Sequence, residues 1–212
     1  MGTLSIDLVT DIVCPWCFIG LMRLDNVLRD TGTDATIIHH PYFLDPDLPA
    51  EGVDVAERLK AKYGGDVQAM FARVEAEARK SGIPLDLSKQ PRQRPTDRAH
   101  TLIRAAADKG TQHALARALF EAHFIQSRNI ADADVLTEIA AGFGFADDEA
   151  RAVILDADAL GQTRQEAAAM ADMGIGGVPF FVFNRALALS GAQPETVMAD
   201  AMRQAVAAEP AA

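Results

Sequence analysis

The sequence predicts an α/β fold in which one sheet domain is assembled from the two ends of the chain around an inserted helical block. Two observations carry this. Residues 4–43 read as strand, helix and strand, and residues 178–207 read as strand, hairpin connection, strand and helix. Between them, from Pro46 to about Met173, alanine-rich segments with helical spacing replace the strand pattern. The expected division is a discontinuous sheet domain, residues 1–45 and 174–212, and an inserted all-helical domain, residues 46–173.

Each element has its own signal. Leu4-Ser5-Ile6-Asp7-Leu8 alternates apolar and polar, the period of a half-buried strand. Phe18, Leu21, Met22, Leu24, Val27 and Leu28 then recur at helical spacing, so a helix over about 15–30 follows, broken at Thr31-Gly32-Thr33. Ile37, Ile38, Tyr42 and Phe43 give strand character to 35–43, with His39 and His40 expected to be exposed. Such a strand–helix–strand unit normally joins parallel strands. Amphipathic stretches predict helices over 55–63 and 67–80, the second ended by Gly82 and Pro84. Two prolines make 86–95 a loop, and Thr96 is placed to cap a helix closed by Gly110. Further helices are expected at about 112–126, 133–141, 147–155 and 159–173. Gly174 to Gly177 is a turn, Val178–Phe183 a strand, Asn184-Arg185 a hairpin connection to 186–189, and Glu195 to about Ala207 the last helix. Residues 209–212 are expected to fray.

Composition narrows the function. The chain has 212 residues and is 49% hydrophobic, enough for a normal core. Its formal net charge is −10, and no basic stripe interrupts the acidic balance, so nucleic acid and anionic membranes are poor partners. Neither a signal-peptide pattern nor an apolar run of membrane-spanning length is present, and the expected location is cytoplasmic. Nothing in the sequence sets the oligomeric state.

The chemistry points to Cys14-Pro15-Trp16-Cys17, which holds the only two cysteines of the chain at the junction of the first strand and first helix. Pro15 suits the first helical position, where its missing N–H costs nothing. Cys14 then falls at the N-cap, facing unpaired backbone N–H groups and the positive end of the helix dipole. Both favour a thiolate, although the dipole contributes only about 0.3–1 kcal/mol and Asp11 opposes it. Cys14 is therefore the expected nucleophile and Cys17 its partner, a redox pair that needs no separate cofactor. A structural zinc site would need four ligands, and there is no second C-x-x-C and no H-x-x-x-H, so no metal is expected. Inert buried cysteines are the competing reading; two sole cysteines meeting at this spacing on a helix start argue against it. Trp16 and Pro15 between them are candidate substrate contacts. Pro179 opens an apolar strand, where a missing N–H is tolerated at the first residue or on an edge.

Taken in order, the strand, Cys14-Pro15-Trp16-Cys17, the helices and Gly177-Val178-Pro179-Phe180-Phe181-Val182-Phe183 resemble the thioredoxin superfamily, and the inserted helices resemble its DsbA-like branch. More narrowly, Cys14 to Gly20, Thr96-Asp97-Arg98-Ala99-His100 and Ser190-Gly191-Ala192-Gln193-Pro194 resemble FrnE-type proteins, although Pro95 stands where that family usually has Asn. The resemblance implies a thioredoxin-like fold with a large inserted helical domain. It implies a thiol–disulfide oxidoreductase acting on protein or peptide disulfides or dithiols. It also implies a cis Val178–Pro179 bond beside the dithiol, with Val178 offering backbone groups to an extended substrate. The same branch holds an alternative, the kappa-type glutathione-dependent isomerases and transferases such as those acting on 2-hydroxychromene-2-carboxylate. There a serine usually matches Cys14, and glutathione would be a co-substrate. Both cysteines are present here, which favours the dithiol reading. His100 matches a family motif but fits a helix-packing role better than a catalytic one.

Overall fold

The computed structural model describes residues 3–208; the expected frayed end at 209–212 lies outside the described residues. β1 (Leu4–Thr10) is an inner strand of a four-stranded mixed sheet in the order β2-β1-β5-β6. It pairs in parallel with β2 (Ala35–Pro41), Ile6 opposite Ile37 and Leu8 opposite His39. Parallel neighbours need a crossover, and α1 (Pro15–Thr31) supplies it. Gly32 ends α1 in the left-handed region at φ 62°, returning its N–H to the carbonyls of Arg29 and Leu28.

Chain from the far end enters on the other side of β1. β5 (Phe180–Phe183) runs antiparallel to β1 and β6 (Leu187–Ser190) antiparallel to β5. Three residues, 184–186, connect the paired ends Phe183 and Leu187, and Asn184 and Arg185 turn the chain there with φ of 49° and 55°, the left-handed region that tight hairpin turns use. The Asn184 side chain accepts from Ser5 N–H at 2.9 Å and donates to the Ala205 carbonyl at 3.0 Å. It thus ties the hairpin to β1 and to the last helix.

Residues between β2 and β5 supply β3 (Val53–Asp54), α2 (Val55–Tyr63), α3 (Val67–Lys80), β4 (Arg92–Gln93), α4 (Asp97–Ala105), α5 (Gln112–Phe124), α6 (Ala133–Ala141), α7 (Asp147–Leu155) and α8 (Ala157–Asp172). The chain ends in α9 (Glu195–Ala207). The interval 86–95 is not all loop: β4 pairs with β3, and a single 3₁₀ turn covers Leu87–Lys89. A two-residue strand has too few positions to show a period.

α4, α5 and α8 pack against β2, while α1 packs against α3, α5 and α9. One apolar cluster runs from Leu4, Ile6 and Leu8 through Phe18 and Leu21 of α1 into Leu102 and Phe120. Phe18 packs parallel to both Phe120 and Phe124, at ring distances of 5.7 and 5.8 Å, and those two rings lie 6.5 Å from each other. Full burial of such a ring contributes roughly 1.5–3 kcal/mol. It fixes the first turn of α1, where the cysteines lie, against α5. Arg23 on the next turns is also buried: it donates to Ser81 Oγ at 2.9 Å, to the Ala192 carbonyl at 2.7 Å and to Glu77 at 3.0 Å. α1 is thereby tied to α3 and to the segment before α9.

The expected exposure of the histidine pair is overturned. His39 is 3% exposed, its N–H donating to Gln112 and its Nε2 lying 2.9 Å from His113 Nδ1. His40 is half-buried between Asp7 and Glu166. α5 supplies the partners of His39, and α8 and the neighbouring β1 those of His40, so the strand does not present its histidines to water. Burial holds His39 well below the usual histidine range, and the neighbouring histidines push the same way.

Candidate functional site

Cys14 is the N-cap of α1, with extended backbone at φ −89° and ψ 112°, and Pro15 takes the first helical position. Its carbonyl accepts the N–H groups of Cys17 at 3.0 Å and Phe18 at 3.3 Å, so the first turn of the helix closes on the residue that carries the thiol. Cys14 N–H in turn donates to the Asp11 carbonyl at 3.0 Å. This tight turn at the end of β1 holds the sulfur at one end of the sheet.

Both thiols are free, and both residues are largely covered. Cys14 is 5% exposed and Cys17 0%, so the thiol expected to be the nucleophile is the less deeply buried of the two. Cys14 borders a cavity; Cys17 does not. Burial pushes the Cys17 thiol well up, reinforced by its hydrogen bond and charge interaction with Cys14. Cys17 is thus held protonated behind the sulfur that borders the cavity.

The Val178–Pro179 bond is cis. The Val178 carbonyl lies 3.8 Å from Cys14 Sγ and accepts from its thiol rather than turning out to solvent. The Pro179 carbonyl accepts from Gly191 N–H at 2.8 Å, which joins the loop to the chain after β6.

The cavity beside Cys14 measures about 760 Å³. Pro15, Trp16 and Val178 border it from the sheet side, Val55, Leu59 and Lys62 from α2, and Phe71, Arg73 and Val74 from α3. Trp16 is packed partly against the core and forms part of the cavity wall. His123 also borders the cavity. Its burial lowers it to about 4, and it is uncharged at neutral pH.

Asp11 is the polar residue whose part sequence reasoning missed. Its carboxylate is 2% exposed and accepts from Leu44 N–H at 2.9 Å and from the Thr96 hydroxyl at 2.8 Å. Thr96 precedes α4 as expected but gives its hydroxyl to Asp11 instead of capping the helix. His100 Nε2 lies 3.6 Å from the same carboxylate and is itself buried without a hydrogen-bond partner among the described residues. His100 therefore stands behind Asp11, and it does not border the cavity. The signal in the sequence was the Asp three residues before Cys14, readable as a charge and not as a brace.

Residues 5–203 match the family described as the DSBA-like thioredoxin domain. The chain belongs to that family. A solved structure described as a probable DsbA oxidoreductase from Streptomyces coelicolor is 31% identical, with a TM-score of 0.86 over 99% of this chain and 92% of that one. A 2-hydroxychromene-2-carboxylate isomerase structure superposes with a TM-score of 0.73 at 15% identity, over 94% of this chain and 95% of the other, and shows the shared fold. An uncharacterized Bacillus subtilis protein, YwbO, is 25% identical over 67% of each chain. As a DSBA-like chain, this protein has the thioredoxin-like fold with inserted helices that the motifs implied.

Cys14, Pro15, Trp16, Val178 and Pro179 come together where β1 meets α1 and the loop before β5, with Cys17 directly behind. Among the described residues no group of three or more His, Cys, Asp or Glu side chains is placed to hold a metal ion. Also among them, no helix is long and apolar enough to cross a membrane.

Proposed function

We propose that this DSBA-like chain is a thiol–disulfide oxidoreductase acting on protein or peptide disulfides or dithiols, with Cys14 attacking and Cys17 resolving. The observation that carries the reading is the pairing of one thiol at the cavity wall with a second, fully buried thiol one turn into the same helix. Cys14 sulfur, as thiolate, bonds to one sulfur of a substrate disulfide. The other substrate sulfur leaves with the bonding electron pair and takes up a proton. Cys17 then loses its proton, bonds to Cys14 sulfur and releases the first substrate sulfur as thiolate. The substrate disulfide is reduced to two thiols, and the protein dithiol becomes a disulfide. Run backwards, the same steps donate a disulfide.

The position of Cys17 supports its role. A buried thiol held protonated does not compete for substrate, yet it attacks fast once a mixed disulfide forms beside it, because its effective concentration there is high. That internal resolving thiol leaves the glutathione-dependent isomerase reading without support from the site. Pro15, Trp16 and Val178 are the proposed substrate contacts, and Pro179 frames them. We place the reaction in the cytoplasm as part of the same proposal. A reducing thiol pool there keeps such a pair as dithiol between turnovers.

Trapping tests the roles. Cys17→Ala is expected to accumulate mixed disulfides with substrate proteins on non-reducing gels, and Cys14→Ala to accumulate almost none. Equal trapping by both variants overturns the assignment.

A further inference from the structure

The cavity beside Cys14 has a charge pattern that runs against the rest of the chain. The protein carries a net charge of −10, yet the described residues bordering this cavity include Lys62, Arg73 and Arg92 and no Asp or Glu. Of the carboxylates on the surrounding elements, Asp45 pairs with Arg58 and Glu77 with Arg23 and Lys80, while Glu75 accepts from Leu87 N–H and keeps its charge. Lys62 and Arg73 have no carboxylate within ion-pair distance among the described residues, and Lys62 Nζ stands 5.4 Å from the centre of the Tyr63 ring. Arg92 donates to the carbonyls of Glu51 and Gly52, which leave its charge unneutralised. The rest of the lining is mostly apolar, with Val55, Leu59, Phe71, Val74 and Phe124, and its other polar residues, among them Gln90, Gln93 and the uncharged His123, carry no charge.

From this juxtaposition of a thiol, an apolar wall and unpaired cations, we propose that the cavity selects low-molecular-weight disulfides bearing carboxylates on an apolar body. Lys62 and Arg73 hold the charge while Cys14 attacks. The inference rests on the Cys14–Cys17 exchange chemistry above and adds a small-molecule class to the protein and peptide substrates proposed there. A volume of about 760 Å³ lies within the range of about 300–1,000 Å³ typical of small-molecule pockets. The apolar wall favours an aromatic or aliphatic body. Cations at the rim of a low-dielectric cleft raise the local concentration of anions and speed their capture. The step is a stoichiometric exchange: Cys14 bonds to one reagent sulfur and expels the other as thiolate, then Cys17 expels the first. The reagent gains two electrons and the dithiol loses two.

The test uses the reduced full chain and three disulfides that differ in charge: dithiobis-nitrobenzoate, an aromatic dianion; dithiodipyridine, which is neutral; and cystamine, which is cationic. Second-order rates of oxidation of the Cys14-Cys17 pair are measured for each at low and high salt. Because the aromatic thiols leave faster than cysteamine whatever the charge, the result is read within each reagent: added salt is expected to slow the dianion, to leave the neutral reagent unchanged and to speed cystamine. The variant Lys62→Gln/Arg73→Gln is expected to lose about tenfold in rate with the dianion relative to its change with the neutral reagent. Lys60→Gln/Arg79→Gln removes the same net charge from positions that do not border the cavity and is expected to keep the wild-type salt response. A Lys62/Arg73 effect equal for dianion and neutral reagent, or matched by the Lys60/Arg79 control, overturns the charge selection and leaves the redox reading standing. Failure of Cys14 to react with any of the three reagents overturns both.

Discussion

Gly20 lies directly under Pro179: a Cβ at Gly20 would stand 2.9 Å from Pro179 Cγ and 3.1 Å from the tip of Phe181. Only a residue without a side chain lets the second turn of α1 approach the loop that carries Val178 to Cys14. Gly20→Ala sets two effects against each other. Helix propensity favours alanine by about 1 kcal/mol, while overpacking costs about 1–3 kcal/mol. The proline ring is rigid and its carbonyl is held by Gly191, so the neighbour cannot give way cheaply. The expected outcome is net destabilisation of about 1 kcal/mol by chemical denaturation. Disulfide exchange should slow more than stability falls, because the loop beside Cys14 has to shift. A variant with wild-type stability and exchange rate would show that the contact relaxes freely.

Local signals explain which parts of this arrangement were legible beforehand. α1 and its cysteines could be read because alternation, the proline position, helical spacing and the glycine stop all lie within one stretch of about thirty residues. α2, α3, α6 and α7 followed from spacing and from Asp, Gly and Pro punctuation. His39 was misread because its partners, Gln112 and His113, are on α5, and a strand at the end of the sheet order looks open until the helices that cover it are known. The cavity was equally hidden. Amphipathic spacing on α2 and α3 shows that each has an apolar face, yet not that Leu59 and Phe71 face one another's side of Cys14. The Asp11 brace joins residues 85 positions apart, beyond any sequence period.

The two thiols should separate chemically. Cys14 borders the cavity, whereas Cys17 is fully buried and held well up by that burial. Iodoacetamide at neutral pH is expected to label Cys14 first, with Cys17 labelled at least tenfold more slowly; a one-unit difference in thiolate availability already gives about tenfold. Peptide mass mapping against time checks this. Equal labelling of both sulfurs would remove the structural basis for calling Cys17 the resolving thiol.

His40 makes stability depend on pH in a stated direction. Its Nδ1 lies 3.0 Å from Glu166 and its Nε2 2.9 Å from Asp7, joining β1, β2 and α8. The hydrogen bond to Glu166 raises His40, with Asp7 adding to it against the opposing effect of burial. A histidine raised in the folded state binds its proton more tightly than in the unfolded chain. Its contribution is therefore fully present below the unfolded value of about 6.5 and is lost as pH rises through the raised folded value. His40→Gln is expected to destabilise the protein more at pH 5.5 than at pH 8.5, as read from paired denaturation curves at about those values. A difference between variant and wild type that grows with pH would refute this sign. Burial of His39 and His123 acts oppositely, lowering stability as pH falls, so only the paired comparison isolates His40.

Asp11 is expected to matter first as a brace. Its carboxylate receives Leu44 N–H and the Thr96 hydroxyl, and its carbonyl receives Cys14 N–H, so one residue joins the cysteine turn, the segment after β2 and the start of α4. Asp11→Ala removes the acceptor and leaves two buried donors unpaired, at about 1–3 kcal/mol each, so a loss of about 2–4 kcal/mol is expected. Asp11→Asn keeps one carbonyl oxygen for Leu44 N–H. Its amide can donate to Thr96, whose hydroxyl turns and accepts, so the loss should be well under half as large. The charge has a second effect. Asp11 acts on the Cys17 thiol in both directions, behind burial and Cys14: its backbone hydrogen bond lowers it, and the smaller effect of its carboxylate charge raises it. With the carboxylate neutralised, Cys17 should be labelled faster by iodoacetamide in Asp11→Asn than in the wild type, in a fold that remains intact. Denaturation curves of the two variants, with labelling of the asparagine form, separate brace from charge. If alanine and asparagine destabilise equally, the hydrogen bonds are not what Asp11 contributes; if labelling of Cys17 is unchanged, its charge does not reach the resolving thiol.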